Sequence, residues 1–95
     1  MEYNIVLGNG QVLRGMISAP ATKIRAFVIF VHGLGEHIGR YESWAEALKA
    51  EGIGFTGVDL PGHGRSDGAR GNIKNYNLLD EMIGKLIEVL LVYVV

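Results

Sequence analysis

The stretch Val28-Ile29-Phe30-Val31-His32-Gly33-Leu34-Gly35-Glu36-His37-Ile38-Gly39-Arg40-Tyr41 constrains this chain more than any other. An apolar run rich in β-branched and aromatic residues stops at a histidine, and a glycine-rich loop follows. The loop opens into a helical pattern. A strand, a loop with free backbone N–H groups and a helix N-terminus together make a place where negative charge settles. That charge is either a phosphate or the oxyanion of a reaction intermediate.

The flanking segments build an α/β arrangement around this stretch. Residues 3–7 and 11–18 flank Gly8-Asn9-Gly10, whose tolerance of positive φ predicts a hairpin turn. The mixed pattern of the second arm predicts an edge hairpin with one wet face. Pro20 then breaks the run, since proline cannot donate to a ladder. The continuous apolar run over 26–31 predicts a strand buried on both faces. A helix is predicted over 41–50, with Trp44, Ala45 and Leu48 on one stripe and Glu42, Glu46 and Lys49 turned away. Gly52 sits where a helix-terminating glycine belongs. A second short strand over 53–58, ending at Asp59, completes a βαβ unit.

Residues 60–73 carry four glycines and a proline and predict a long loop. Asn75 or Asn77 can cap the next helix. There Leu78, Leu79, Met82, Ile83, Leu86, Ile87, Leu90 and Leu91 recur in pairs four apart, a core-packing stripe. The helix is predicted to about Leu90; residues 91–95 are compatible with helix or strand.

Composition narrows the function classes. At 95 residues the chain is one domain, large enough to bury about 60–65% of its unfolded surface. Net charge is -1, from 9 basic and 10 acidic residues, and no basic patch stands out, which argues against nucleic acid. The absence of cysteine excludes disulfides, thiolate zinc sites and a cysteine nucleophile, and fits a cytoplasmic protein; a peripheral place at membranes stays open. The N-terminus lacks the basic and apolar regions of a signal peptide. Gly84, Lys85 and Glu88 interrupt the last apolar stretch, so no transmembrane segment is expected. No His/Asp/Glu spacing suggests a metal site.

Two motifs at their spacing carry a resemblance. His32-Gly33-Leu34-Gly35-Glu36-His37-Ile38-Gly39-Arg40-Tyr41 and Asp59-Leu60-Pro61-Gly62-His63-Gly64-Arg65-Ser66-Asp67-Gly68 closely resemble the α/β-hydrolase superfamily, and within it the monoacylglycerol lipase and lysophospholipase branch. The resemblance covers roughly residues 10 to 80. It implies the N-terminal part of an α/β-hydrolase fold: hairpin, βαβ unit, long loop and helix on a mixed, mostly parallel sheet. It implies hydrolysis of a lipid or small ester through an acyl-serine, without a cofactor. It makes the backbone N–H of Leu34 an oxyanion donor, on a loop scaffold of His32, Gly33 and Gly35. His32 is then structural rather than the catalytic base.

The family's nucleophile is a serine in a G-x-S-x-G elbow between a buried strand and a helix. Gly64-Arg65-Ser66-Asp67-Gly68 fits the letters, but Pro61-Gly62-His63 precedes it and Ala69-Arg70-Gly71-Asn72 follows, so Ser66 reads as a decoy. His37 and His63 read as hydrogen-bonding surface residues of polar loops. Asp59 could orient a histidine, but capping the loop that follows is the stronger reading. Glu36 and Arg40, four apart, could pair. The chain therefore reads as a single partial domain over 1–95 that stops before its nucleophile and is inactive alone. The family's next strand would lie beside 26–31, so association with itself or with a missing C-terminal portion is expected.

A different class competes. Gly33-x-Gly35-x-x-x-Gly39 between a strand and a helix, with Asp59 closing the next strand, approaches a dinucleotide-binding layout. The third glycine is one place late, and Glu36 puts negative charge beside the phosphates. A third reading is a non-catalytic interaction fragment.

Overall fold

A computed structural model describes every residue except Lys74 and Val95. Glu2–Val6 (β1) and Val12–Ser18 (β2) form the antiparallel hairpin. One side chain and one positive φ close its turn at Gly8-Asn9-Gly10. Asn9 Oδ1 accepts the Gln11 N–H at 2.9 Å, and Gly10 adopts φ +89°. Ala26–Ile29 (β3) and Ile53–Val58 (β4) are the two strands of the βαβ unit. The sheet order is β1-β2-β4-β3, with β3 parallel to β4 and the other two pairings antiparallel.

Three expectations change here. The sheet is mixed, but antiparallel pairings outnumber the parallel one, because the hairpin joins directly onto a single βαβ unit. Only β1 of the hairpin is an edge; β2 is interior, and Leu13, Gly15 and Ile17 on one of its faces are buried. Strand β3 is not buried on both faces. It is the outermost strand, so Ala26 is exposed and Phe27, Val28 and Ile29 are half-buried. The strand ends at Ile29, although the Phe30 N–H still bonds to the Thr56 carbonyl at 2.8 Å, and Val31 lies exposed beyond it.

Helices cover the two faces. A short 3-10 helix, Ile38–Tyr41, leads into Glu42–Ala50 (α1), which Gly52 ends at φ +77°. Ile38, Ala45 and Phe55 form the buried core on this side. Trp44, placed on the inward stripe by the sequence pattern, is instead exposed and packs its edge on Phe30 and Tyr41. On the other face Asn77–Val94 (α2) packs Met82 and Leu86 against Ile5, Leu7, Leu13, Val58 and Leu60. Of the two asparagines, Asn75 caps: its Oδ1 accepts the Asn77 N–H at 2.9 Å. The helix runs past Leu90 to Val94, and Val95 lies outside the described residues.

Three of the eight residues of the predicted α2 stripe are exposed. Met82, Leu86 and Leu90 face the core, while Ile83, Ile87 and Leu91 are 36%, 47% and 52% exposed. Each of the latter follows a core-facing residue by one position, so it lies about 100° further round the helix, past the part the sheet covers.

One close approach in this frame sets up the site. A Cβ on Gly57 would stand 2.6 Å from the Phe30 carbonyl oxygen and 2.6 Å from Ile38 Cδ1. The missing side chain is what lets Ile38 seat the start of the 3-10 helix on β4. Gly57→Ala is expected to lower unfolding stability by about 1–3 kcal/mol through overpacking, measured as a lower urea midpoint with an unchanged slope.

Candidate active site

Residues 32–38 leave β3 and form a tight turn. The Gly33 carbonyl accepts the Glu36 N–H at 3.1 Å, and Gly35 alone of the two central residues has positive φ, at +79°. That is the signature of a type II turn, in which the third position needs glycine. Leu34 occupies the second position and is 70% exposed. The N–H groups of Gly33, Leu34 and Gly35 meet no acceptor among the described residues.

The turn is held at both ends by residues at the exit of β4. His32 is 3% exposed, and its Nε2 accepts the Leu60 N–H at 2.9 Å. The ring proton is therefore assigned to Nδ1, which donates to the Gly33 carbonyl at 2.8 Å. At the far end Asp59, also 3% exposed, accepts the Ile38 N–H on Oδ1 at 2.7 Å. Its Oδ2 accepts the Arg65 N–H at 2.9 Å. Asp59 thus caps the loop that follows, and it also holds the preceding loop from across 21 residues. That second contact is absent from any local pattern; the one sequence signal for it is an acid at a strand end facing a glycine-rich loop.

Glu36 braces the outer side. Its carboxylate accepts the Tyr41 hydroxyl at 2.8 Å and lies 3.6 Å from Arg40, an exposed pair that contributes little. The hydrogen bond to Glu36, and then desolvation and the Glu36 charge, hold the Tyr41 phenol above its usual range. The same carboxylate stands 3.4 Å from where a Gly33 Cβ would be. Negative charge therefore already lies over the loop that a phosphate would need, and both Asp59 oxygens are engaged by amides rather than free for a ribose.

The other sequence candidates fall differently. Ser66 is buried at 2% exposure; its Oγ donates to the Asp59 carbonyl at 2.6 Å and accepts the Arg14 N–H at 2.9 Å. No imidazole is among its hydrogen-bond partners, and it lies in a run of turns rather than between a strand and a helix. His63 is not a surface residue: it is 5% exposed, donates from Nδ1 to the Pro61 carbonyl at 3.1 Å, and sets its ring tilted, with centroids 5.5 Å apart, against that of His32. The loop folds inward here because glycines allow sharp reversal, Gly62 at φ +77° and Gly64 at φ +48°. His37 is exposed at the start of the 3-10 helix and makes no capping bond. A cleft of about 470 Å³ opens beside the turn, lined in part by His37, Ile38, Gly64 and Arg65; Leu34 lies outside it. Among the described residues no three His, Asp or Glu side chains gather to hold a metal, and no helix is long and apolar enough to cross a membrane.

A mixed sheet between two helices, with a glycine turn at the end of the parallel strand, defines the N-terminal portion of an α/β-hydrolase. The model of the Serine aminopeptidase, S33 family matches residues 22–90, and the chain belongs to that family. Its likeness runs to the monoacylglycerol lipase branch. It is 39% identical over 56 residues to the monoacylglycerol lipase of Mycolicibacterium smegmatis, which spans 59% of this chain and 20% of that protein. The crystal structure of Paleococcus ferrophilus monoacylglycerol lipase superposes with a TM-score of 0.72 at 38% identity, over 82% of this chain and 29% of that one. The α/β-hydrolase GrgF from Penicillium sp. sh18 shares the fold, with a TM-score of 0.78 at 20% identity over 95% of this chain and 31% of that one. The chain spans 7% to 21% of the length of the first relatives it matches.

Because Ser66 Oγ satisfies the buried Asp59 carbonyl and the partly buried Arg14 N–H, Ser66→Ala is expected to destabilise the chain by about 1–3 kcal/mol. Urea unfolding followed by circular dichroism measures this; an unchanged midpoint would show that the hydroxyl is structurally idle.

Proposed function

We propose that this chain forms the oxyanion side of a carboxylic ester hydrolase acting on a monoacylglycerol or lysophospholipid through an acyl-serine. In this reading the Leu34 N–H donates to the tetrahedral oxyanion, while His32, Gly33 and Gly35 scaffold the turn. Ser66 is structural, and the nucleophile, acid and base come from outside these 95 residues. The chain turns over no ester unaided. The outer edge of β3 is where a further strand would pair, from a second copy or from the rest of a longer chain.

The observation that supports this reading is a turn held at both ends whose Gly33, Leu34 and Gly35 N–H groups meet no acceptor among the described residues; the family resemblance singles out Leu34 among them. A donor fixed before reaction stabilises developing charge without reorganising. The family membership and the lipase likeness support this chemistry for the turn. The interaction-fragment reading has the exposed row Ile83, Ile87 and Leu91 in its favour, and it assigns the free amide no task.

The test replaces the matching segment of the Paleococcus ferrophilus lipase with this one. Leu34→Pro deletes the donor and suits the second position of a type II turn, so the turn survives. In the hybrid, kcat for a monoacylglycerol is expected to fall about 10²–10³-fold with KM little changed. Unaltered kcat would refute the donor role. Nitrophenyl ester turnover by the 95-residue chain, lost in Ser66→Ala, would refute the assignment of Ser66.

A further inference from the structure

We propose that Asp59 is a positioning residue for the oxyanion turn: with Leu60 it grips both ends of residues 32–38 and fixes where the Leu34 amide points. This deepens the functional reading above and rests on it for its chemical meaning; the grip itself rests on geometry alone.

The contacts form a continuous path. Two consecutive residues at the exit of β4 meet the two ends of the turn. The Leu60 N–H bonds to His32 Nε2, and the Asp59 carboxylate accepts the Ile38 N–H. Asp59 is itself clamped to β2. Its N–H donates to the Arg14 carbonyl at 2.8 Å, while Ser66 Oγ bridges the Arg14 N–H and the Asp59 carbonyl. The loop then wraps the carboxylate: a Cβ on Gly64 would lie 2.3 Å from Oδ2, so only glycine admits this approach.

The carboxylate is used where an amide side chain would fail. Both oxygens of Asp59 accept backbone N–H groups. An asparagine offers one acceptor and turns an NH₂ toward the second donor. Charge-assisted bonds of this kind are about twice as strong as neutral ones. The geometry therefore joins the Asp59-Leu60-Pro61-Gly62-His63-Gly64 loop to the turn as its mount, where sequence alone leaves it a separate loop.

Amide hydrogen exchange by NMR on the ¹⁵N-labelled chain tests this with Asp59→Asn. Exchange at Ile38 and Arg65 is expected to accelerate about 10- to 100-fold, with shift changes at Leu34 and Gly35, while the β2 and β4 amides stay protected. Unchanged protection at Ile38, or loss spread evenly over the sheet, would overturn the proposal. Should the variant not fold, the unsubstituted chain still decides. A through-hydrogen-bond coupling from the Ile38 nitrogen to the Asp59 carboxyl carbon is expected, and its absence overturns the grip. In the lipase hybrid, Asp59→Asn is expected to lower kcat and leave KM in place. A hybrid in which Leu34→Pro has no effect refutes the oxyanion reading instead, and the Ile38 amide still judges the grip.

Discussion

A buried carboxylate facing two backbone amides is the interaction on which this structure turns. Removing a charge from water is expensive unless hydrogen bonds replace hydration. Asp59 meets that cost with the N–H groups of Ile38 and Arg65, each from a different loop. The guanidinium of Arg65 pairs instead with Glu2 at the surface. The carboxylate therefore links two backbone segments, and neither loop can leave without stranding a buried charge.

From that constraint the rest of the site follows. The turn at 33–36 cannot drift, because His32 and Ile38 on its flanks are held by neighbouring residues of one strand exit. Gly57 gives Ile38 its seat, and Gly64 gives Oδ2 its space. Among the described residues the Gly33, Leu34 and Gly35 amides at the tip meet no acceptor. Free donors at fixed positions are what acyl-transfer chemistry uses, and the Glu36 carboxylate beside the turn opposes a doubly charged phosphate more than a singly charged oxyanion.

Much of the fold was legible in the sequence because it is written locally. Gly8-Asn9-Gly10 specifies its turn, the run at 53–58 its strand, and Gly52 the end of α1. What was not legible depends on partners far along the chain. A histidine among Pro61, Gly62 and Gly64 reads as solvated, yet His63 is buried because the glycines fold the loop inward. The apolar run at 26–31 reads as central, yet its place in the sheet order makes it an edge. The row Ile83, Ile87 and Leu91 reads as core, but the sheet reaches only the row beside it. In the site, Leu34 has no signal of its own, since a backbone amide is the same at every residue; the glycines around it and the family resemblance point to it. The bond from Asp59 to Ile38 spans 21 residues and leaves no periodic trace.

The most direct measurement is the exchange rate of three amides in the unsubstituted chain. Ile38 and Leu60 should exchange as slowly as the β4 core, and Leu34 at close to the rate of a free peptide. A protected Leu34, or an Ile38 that exchanges as freely as Leu34, would contradict a held turn with an open donor at its tip.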